Sequence, residues 1–365
     1  MRFTSNTKND KRNCLRRRKS HGCVVLKPFC NQDLNDQVSA FRAMLLDWFH
    51  RCARDYPWRR TRDPYAILVS EVMLQQTRLA VVLGKGYYQR FMDAFPTVTA
   101  LAQAEEQGLL RVWEGLGYYR RARMLQSTAI AVCERHHGRF PTEENELLAL
   151  PGIGPYTAAA LRSFAFDLPS PLVDGNVMRV LSRLYDDVTP IDTSSGIRLC
   201  WLRADHMLDR EHPRLFNSAL MELGQRICKV GVPHCLDCPV SSFCRSHQPE
   251  NLPVKVKRMA ITDVVERAVW VLKNADQLLL HRESGNRRNG LWRLPQRSED
   301  VTRSREILLE MNYGITRYRV RLLVYEGSEI KPEEGDEWIG LADLESYPMA
   351  APYRKALRSL MDCSR

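Results

Sequence analysis

Apolar residues recur every three or four positions through the first two thirds of the chain, the spacing that keeps one face of a helix turned inward. Val38, Phe41, Leu45, Trp48, Phe49 and Cys52 fall on such a face within 36–54. Asp63-Pro64 then supplies an N-cap and a first-turn proline for a helix running to about Thr77. Further helices are predicted over roughly 78–93, 98–112, 119–137, 143–149, 156–166, 175–185, 195–210 and 213–226, and strand signals are nearly absent up to 245. Residues 246–262 are polar and proline-marked and read as a linker. Beyond 263 the period changes to two. Val269 and Val271 alternate with neighbours of the other face, Asn274-Ala275-Asp276 turns, and Leu278-Leu279-Leu280 returns as a hairpin. A second strand is predicted over Arg319 to Tyr325, with helices near 301–311 and 352–361. The pattern therefore divides the chain into a tail (1–32), an all-helical region (33–245), the linker, and a mixed α/β domain (263–365).

A chain of 365 residues is long enough for two or three cores. Its 44% hydrophobic and 27% charged content is ordinary for a soluble globular protein. No apolar run approaches the roughly 20 residues that span a bilayer, and no signal-peptide core opens the sequence. The net charge of +11 points to a polyanionic partner. Its distribution tempers that reading, because residues 1–32 carry nine Lys/Arg against one Asp and leave only +3 for the rest. The tail reads either as a solvated extension or as an arm adding salt-sensitive attraction to DNA.

Four segments carry candidate chemistry. Leu150-Pro151-Gly152-Ile153-Gly154-Pro155-Tyr156-Thr157 places two glycines just before a helical run, where Gly152 and Gly154 leave backbone N–H groups free to hold a phosphate oxygen. Val173-Asp174-Gly175-Asn176 follows that helix and adds a carboxylate. Glu71 has Ile67, Leu68, Leu74 and Gln75 as its helical neighbours, so its carboxyl lies on or beside a buried face. Such burial raises the pKa, as a general acid working near neutrality requires. After it, the polar, uncharged Gln75-Gln76-Thr77 suits the probing of base edges, and Gly115 to Arg121 adds a turn with tyrosines and cations of the kind that meets nucleic acid. Finally, Cys228, Cys235, Cys238 and Cys244 lie within seventeen residues, a spacing that suits tetrahedral zinc or a [4Fe–4S] cluster.

Together with Pro57-Trp58-Arg59, Asp63-Pro64-Tyr65, Ser70 to Thr77, Trp113 to Tyr119 and Phe216-Asn217 to Gly224, these segments resemble the helix-hairpin-helix DNA glycosylases that carry an iron–sulfur loop. Within them the likeness is to adenine glycosylases of the MutY type, over roughly 36–362. The resemblance implies a multidomain protein: an all-α core of two helical lobes with the active site between them, a [4Fe–4S] loop held by the four cysteines, and a C-terminal α+β Nudix-like domain. The implied partner is double-stranded DNA containing adenine opposite 8-oxoguanine or guanine, bound by a monomer in the bacterial cytoplasm, on the nucleoid. The base leaves the stack and enters a pocket. In this family the glutamate matching Glu71 protonates adenine N7, and the aspartate matching Asp174 stabilises the oxocarbenium-like sugar. Tyr156 and Asn176 match positions that hydrogen-bond around these acids. Gln76 and Tyr118 match wedges beside the opposite base, with Leu74, Thr77 and Leu116 near it, while Arg54, Trp58 and Arg59 match pocket and support positions.

The C-terminal likeness rests on Gly290 to Pro295. Of a Nudix metal-binding helix only Arg305-Glu306 and Glu310 survive, with Leu309 where a second paired glutamate would fall, so hydrolase activity is not expected there. Where the family reads 8-oxoguanine through Phe-Ser/Thr-His, this chain offers Ile315-Thr316-Arg317-Tyr318, keeping the hydroxyl of Thr316 but putting arginine for histidine. Two alternatives are weighed. An endonuclease III type enzyme needs a lysine amine in the glycine hairpin for a Schiff base, and that slot holds Tyr156. A non-catalytic DNA-binding protein has no need of Glu71 and Asp174 together.

Overall fold

The computed structural model describes residues 31–256, 260–285, 288–315 and 317–363, and the basic tail read at 1–32 lies almost wholly outside them. Its helical part runs α1 (Asn31–Cys52), α2 (Pro64–Leu74), α3 (Leu79–Gly84), α4 (Tyr87–Ala94), α5 (Val98–Ala102), α6 (Glu106–Val112), α7 (Arg120–His136), α8 (Glu144–Leu148), α9 (Pro155–Ala160), α10 (Gly175–Leu184), α11 (Ser194–Met207) and α12 (Pro213–Arg226). A π turn (Leu161–Ala165) extends α9. The long periodic stretches predicted at 78–93 and 98–112 are each broken into two short helices, turning at Lys85-Gly86 and at Gln103 to Glu105. None of the described helices is long and apolar enough to cross a membrane.

Two apolar cores hold this part together. The first gathers Leu68 of α2 with Phe91, Trp113, Leu125, Val132 and Leu161 from the segments that follow it. The second joins the ends of the helical region, with Phe41 and Leu45 of α1 against Leu181 of α10 and Phe216 and Leu220 of α12. The inward face read for α1 is borne out, since Val38, Phe41, Leu45 and Phe49 are all buried. At the centre lies α2. Pro64 occupies its first turn, the Asp63 carboxylate accepts from the Tyr65 N–H at 3.0 Å, and every side chain from Tyr65 to Met73 is buried.

The C-terminal domain contains β1 (Thr262–Trp270), β2 (Leu272–Lys273), β3 (Gln277–Arg282), β4 (Trp292–Arg293), α13 (Glu299–Thr302), β5 (Ile307–Ile315), β6 (Tyr318–Glu326), β7 (Asp336–Gly340) and α14 (Ala351–Cys363). One sheet has the order β1-β6-β5, with β1 and β6 parallel and β5 antiparallel to β6. In the other, β3 pairs antiparallel with β7 along its length and with β2 and β4 at its ends. The hairpin at 274–276 is as expected. The helix expected near 301–311 is not: four residues of α13 give way to β5, where Leu309, Met311 and Tyr313 point inward and Glu310 and Asn312 outward. A short apolar run does not distinguish helix from strand by composition, and pairing with β6 decides it. The surviving Glu310 accordingly meets Arg321 of β6 and belongs to no acidic helix.

The C-terminal domain is docked on the helical part through the turn that follows α6. Glu114, nearly buried, accepts from the Arg354 Nε of α14 at 2.9 Å and from the Met349 N–H at 3.2 Å. The Tyr119 hydroxyl donates to the Met349 carbonyl at 2.9 Å. Arg111 pairs with Glu345 at 2.8 Å, and Arg123 donates to the Asn289 carbonyl. Removing one member of a buried ion pair strands the other, at a cost of about 3 kcal/mol or more. Glu114→Ala is therefore expected to lower the unfolding free energy by that order, with a lower denaturation midpoint, and to speed proteolysis between the domains. Glu114→Ala with Arg354→Met should recover much of the loss, and an unchanged midpoint in the single variant would refute the docking role.

Candidate active site

The residues singled out in the sequence separate into two hollows on either side of α2. The first is small, about 50 Å³, and is lined by Tyr56, Trp58, Ile67, Glu71, Leu74 and Phe164 among others. Glu71 is 6% exposed, and burial pushes its carboxyl up to about 7. The Tyr156 hydroxyl of α9 donates to Glu71 Oε2 at 2.7 Å and opposes that rise, while the nearby Asp174 carboxylate adds to it. Tyr156 is itself half-buried beside both acids, and the desolvation of its phenol keeps it protonated well above the usual range, as a fixed donor.

Asp174 caps α10. Its Oδ1 accepts the Val177 N–H and its Oδ2 the Asn176 side-chain amide, both at 2.7 Å. Burial raises its pKa as well, but these two donors and the Arg179 charge work against the rise. Asp174 thus meets N–H groups at a helix N-terminus rather than open water. Asn176 is held in turn, its Oδ1 accepting from Arg179 Nη2 at 2.9 Å. Gly224 of α12 lies so close that a Cβ there would sit 2.7 Å from that of Asn176, which is why the helix crossing at the site needs glycine.

Behind the first hollow, Trp58 stacks on Tyr56 at 5.5 Å and meets the edge of Tyr88. Arg59 lies over Phe49 and Tyr56 and pairs with Glu222. Glu222 was not found by sequence reasoning. It is fully buried on α12 between Arg59 and Arg226 (3.0 Å) and also accepts the Arg54 N–H at 3.2 Å. The one signal it offers is a carboxylate set between Met221 and Leu223 on α12. The Arg54 side chain is exposed, and only its backbone takes part in this support.

The second hollow is a cleft of about 910 Å³ between the two domains, lined by Gln76, Leu116, Tyr118, Gly152, Arg288 and Ile315 among others. Gln76 (φ 55°) and Tyr118 (φ 47°) both occupy the left-handed region, which aims two loop tips into it. They are held together by Arg121. Its guanidinium donates to the carbonyls of Val72, Met73 and Gln75 at the end of α2, to Thr77 Oγ1, and to the carbonyls of Leu116 and Gly117. The cations beside Tyr118 were expected to meet phosphate, and Arg121 instead faces inward, with burial lowering its pKa to about 10. Leu74, expected near this cleft, lines the hollow of Glu71 instead. Gly152 (φ 78°) packs against Met124, and Gly154 caps α9 in extended backbone. Thr316 lies outside the described residues, and Arg317 turns onto Tyr318.

The cysteine loop closes on α10. Arg179 donates to the Cys228 carbonyl at 2.7 Å, and Arg183 donates to Cys228 Sγ at 3.3 Å and to the carbonyls of Lys229 and Gly231. Burial pushes the Cys238 thiol up to about 11, with further contributions from the sulfurs of Cys228, Cys244 and Cys235.

Residues 69–194 match the HhH-GPD superfamily of base excision DNA repair proteins. The chain is 44% identical over 220 residues to the adenine DNA glycosylase of Rattus norvegicus, an alignment covering 58% of this chain and 42% of that one. It is 30% identical over 262 residues to the adenine DNA glycosylase of Buchnera aphidicola subsp. Schizaphis graminum, covering 70% and 73% respectively. Among solved structures it is similar to a thermostable thymine-DNA glycosylase, with a TM-score of 0.53 and 29% identity over 58% of this chain and 96% of that one. The aligned stretch thus spans less than half the length of the rat relative but nearly three quarters of the Buchnera one. With the buried glutamate, the capping aspartate and the glycine hairpin in place, the chain belongs to the adenine DNA glycosylase family of helix-hairpin-helix base excision repair proteins.

Proposed function

We propose that this protein removes adenine mispaired with 8-oxoguanine or guanine in duplex DNA by hydrolysing the N-glycosidic bond. The observation that carries the reading is a buried carboxyl with a pKa near 7, hydrogen-bonded to a neutral phenol and set beside a second carboxylate held by N–H donors. Glu71 holds the proton at neutrality and delivers it to N7 of the extruded adenine, so the base leaves neutral as the C1′–N9 bond breaks. Asp174 keeps its negative charge near the oxocarbenium-like sugar, and a water adds to C1′ and gives its proton to the Glu71 carboxylate, which is thereby restored. The Glu71 hollow has the volume of about two waters, so entry of the base requires its lining side chains to yield. Gln76 and Tyr118 act as wedges at the cleft, and the Gly152–Gly154 turn offers N–H groups to the backbone. Tyr156 occupies the slot where a lyase carries its lysine, and a phenol forms no Schiff base, so release should proceed without strand cleavage.

Cys228, Cys235, Cys238 and Cys244 would hold a [4Fe–4S] cluster, an assignment supported by their spacing and by the family to which the chain belongs. Among the described residues no three metal-binding side chains are gathered closely enough to hold an ion. When bound, such a cluster supplies a cross-link among Cys228, Cys235, Cys238 and Cys244. Iron and acid-labile sulfide in about equal amounts, without zinc, are expected in the purified protein.

Glu71→Gln should slow adenine release by roughly 10³-fold while duplex binding persists, since general acid catalysis contributes 10²–10⁴. In the unsubstituted protein the single-turnover rate should fall about tenfold per pH unit above 7, where Glu71 loses its proton, and strand breaks should need alkali. Full activity in Glu71→Gln would overturn this mechanism. The same substitution has a stability signature. Because burial raises the Glu71 pKa from 4.5 to about 7, the folded state holds a proton that the unfolded state releases between those values, and stability declines as pH rises through that window. A glutamine carries no such cost. Glu71→Gln is thus expected to be more stable by about 3 kcal/mol above pH 7, with the difference vanishing below pH 4.5 in denaturation curves.

A further inference from the structure

The interdomain cleft has one cation whose purpose neither the docking interface nor the acid chemistry explains. Arg288 opens the turn between β3 and β4 and lines the cleft across from Gln76 and Tyr118. Its guanidinium is nearly buried, 14% exposed, and is seated from behind by the rings of Tyr313 and Tyr353 at 5.9 and 5.6 Å. Glu266 and Glu283 lie at 3.6 and 3.8 Å, too far for hydrogen bonds. Among the described residues the Tyr313 hydroxyl, at 3.0 Å, is its hydrogen-bonding partner. That partner is itself committed to Glu266, which also accepts from Tyr353 at 2.9 Å. The turn is tied to the helical part as well, through Arg123 and the Asn289 carbonyl. Among the described residues Arg288 thus spends one N–H on a hydrogen bond to the protein and has the Glu266 and Glu283 carboxylates within ion-pairing distance of Nη1, leaving the remaining donors of its fork without a hydrogen-bonding partner there.

The rest of the lining says what such a fork would meet. Leu68, Val72, Leu116, Met124, Leu125 and Ile315 make the walls largely apolar, suited to the flat face of a base, while Arg120 adds an exposed cation to the lining. The other buried cation, Arg121, is already spent on six carbonyl and hydroxyl oxygens. We infer that Arg288 reads the N7 and O6 edge of an unmodified guanine opposite the excised adenine. This rests on the base-release reading above and extends it to the opposite strand. Both atoms are acceptors in guanine, and a guanidinium fork spans them. In 8-oxoguanine N7 carries a hydrogen, so one arm of the fork faces another donor. Arg288 thus shifts the preference of this chain toward adenine opposite guanine.

The test compares duplexes with adenine opposite guanine, 7-deazaguanine (which lacks only the N7 acceptor) and 8-oxoguanine. Dissociation constants and single-turnover release are measured for the full chain and for Arg288→Gln and Arg288→Lys. Binding and release opposite guanine should exceed those opposite 7-deazaguanine by roughly tenfold, as one good bidentate contact is worth. Both variants should erase that ratio, the lysine included, because it keeps the charge and loses the fork. The 8-oxoguanine-to-guanine ratio should rise by a similar factor. Equal weakening on all three duplexes would make Arg288 a phosphate or packing contact, and a guanine-to-7-deazaguanine ratio unchanged by substitution would likewise overturn the inference. If no duplex loses adenine, the base-release reading fails. The binding ratios still decide the role of Arg288, and matching melting curves confirm that the variants are folded.

Discussion

Burying the Glu71 carboxyl is the constraint around which the molecule is arranged. A carboxyl on a helix buried on every side would be costly unless it stayed protonated or found donors. Here it has both. Its proton persists to about pH 7, and the Tyr156 hydroxyl reaches it from a helix that begins 84 residues later. Closing α2 off from water requires walls, and these are Trp58 and Tyr56 on one side and Phe164 and Met221 on the other. Bringing Asp174 near requires α10 to start at the same place, with Gly224 letting α12 pass close to Asn176. The two carboxyls thus differ less in burial than in their hydrogen bonds: a phenol O–H for Glu71, N–H groups at a helix start for Asp174.

Arginine is the structural joint throughout. Arg121 gathers carbonyls from the end of α2 and from the Gly117 turn. Arg214 gathers those of Arg59, Thr61 and Phe164, Arg183 those of the cysteine loop, and Arg354 spans the domain interface through Glu114. A planar fork with five donors suits such multiple acceptance, and the ends of helices leave carbonyls in need of it. Much of the positive charge in the composition is therefore spent inside the protein. The net charge of +11 overstates what the described surface can offer to a polyanion.

The cysteine loop and the catalytic candidates share one element. Asp174 caps α10, and two turns further along the same helix Arg179 and Arg183 hold the loop through Cys228 and its neighbours. Whatever fixes the four thiols also fixes the seat of that helix, and with it the carboxylate at its start. The Trp113 to Tyr119 segment has a similar double duty, since it carries Tyr118 into the cleft and docks the C-terminal domain through Glu114 and Tyr119.

Much of this was legible from the chain alone because it is local. Helical periodicity found the inward face of α1, Asp63-Pro64 placed the start of α2, and the apolar neighbours of Glu71 announced a carboxyl with a raised pKa. The hairpin spacing and the four cysteines needed no tertiary information either. Three-dimensional packing decided the rest. It paired the segment after Thr302 with β6 as a strand, moved Leu74 to the acid side of α2, turned Arg121 inward, and put Glu222 and Arg288 at positions that no spacing in the chain distinguishes. The physical reason is common to all of these. The state of a long polar side chain, and of a short apolar run, is set by partners far away in the sequence, and those partners become neighbours only when the two cores close.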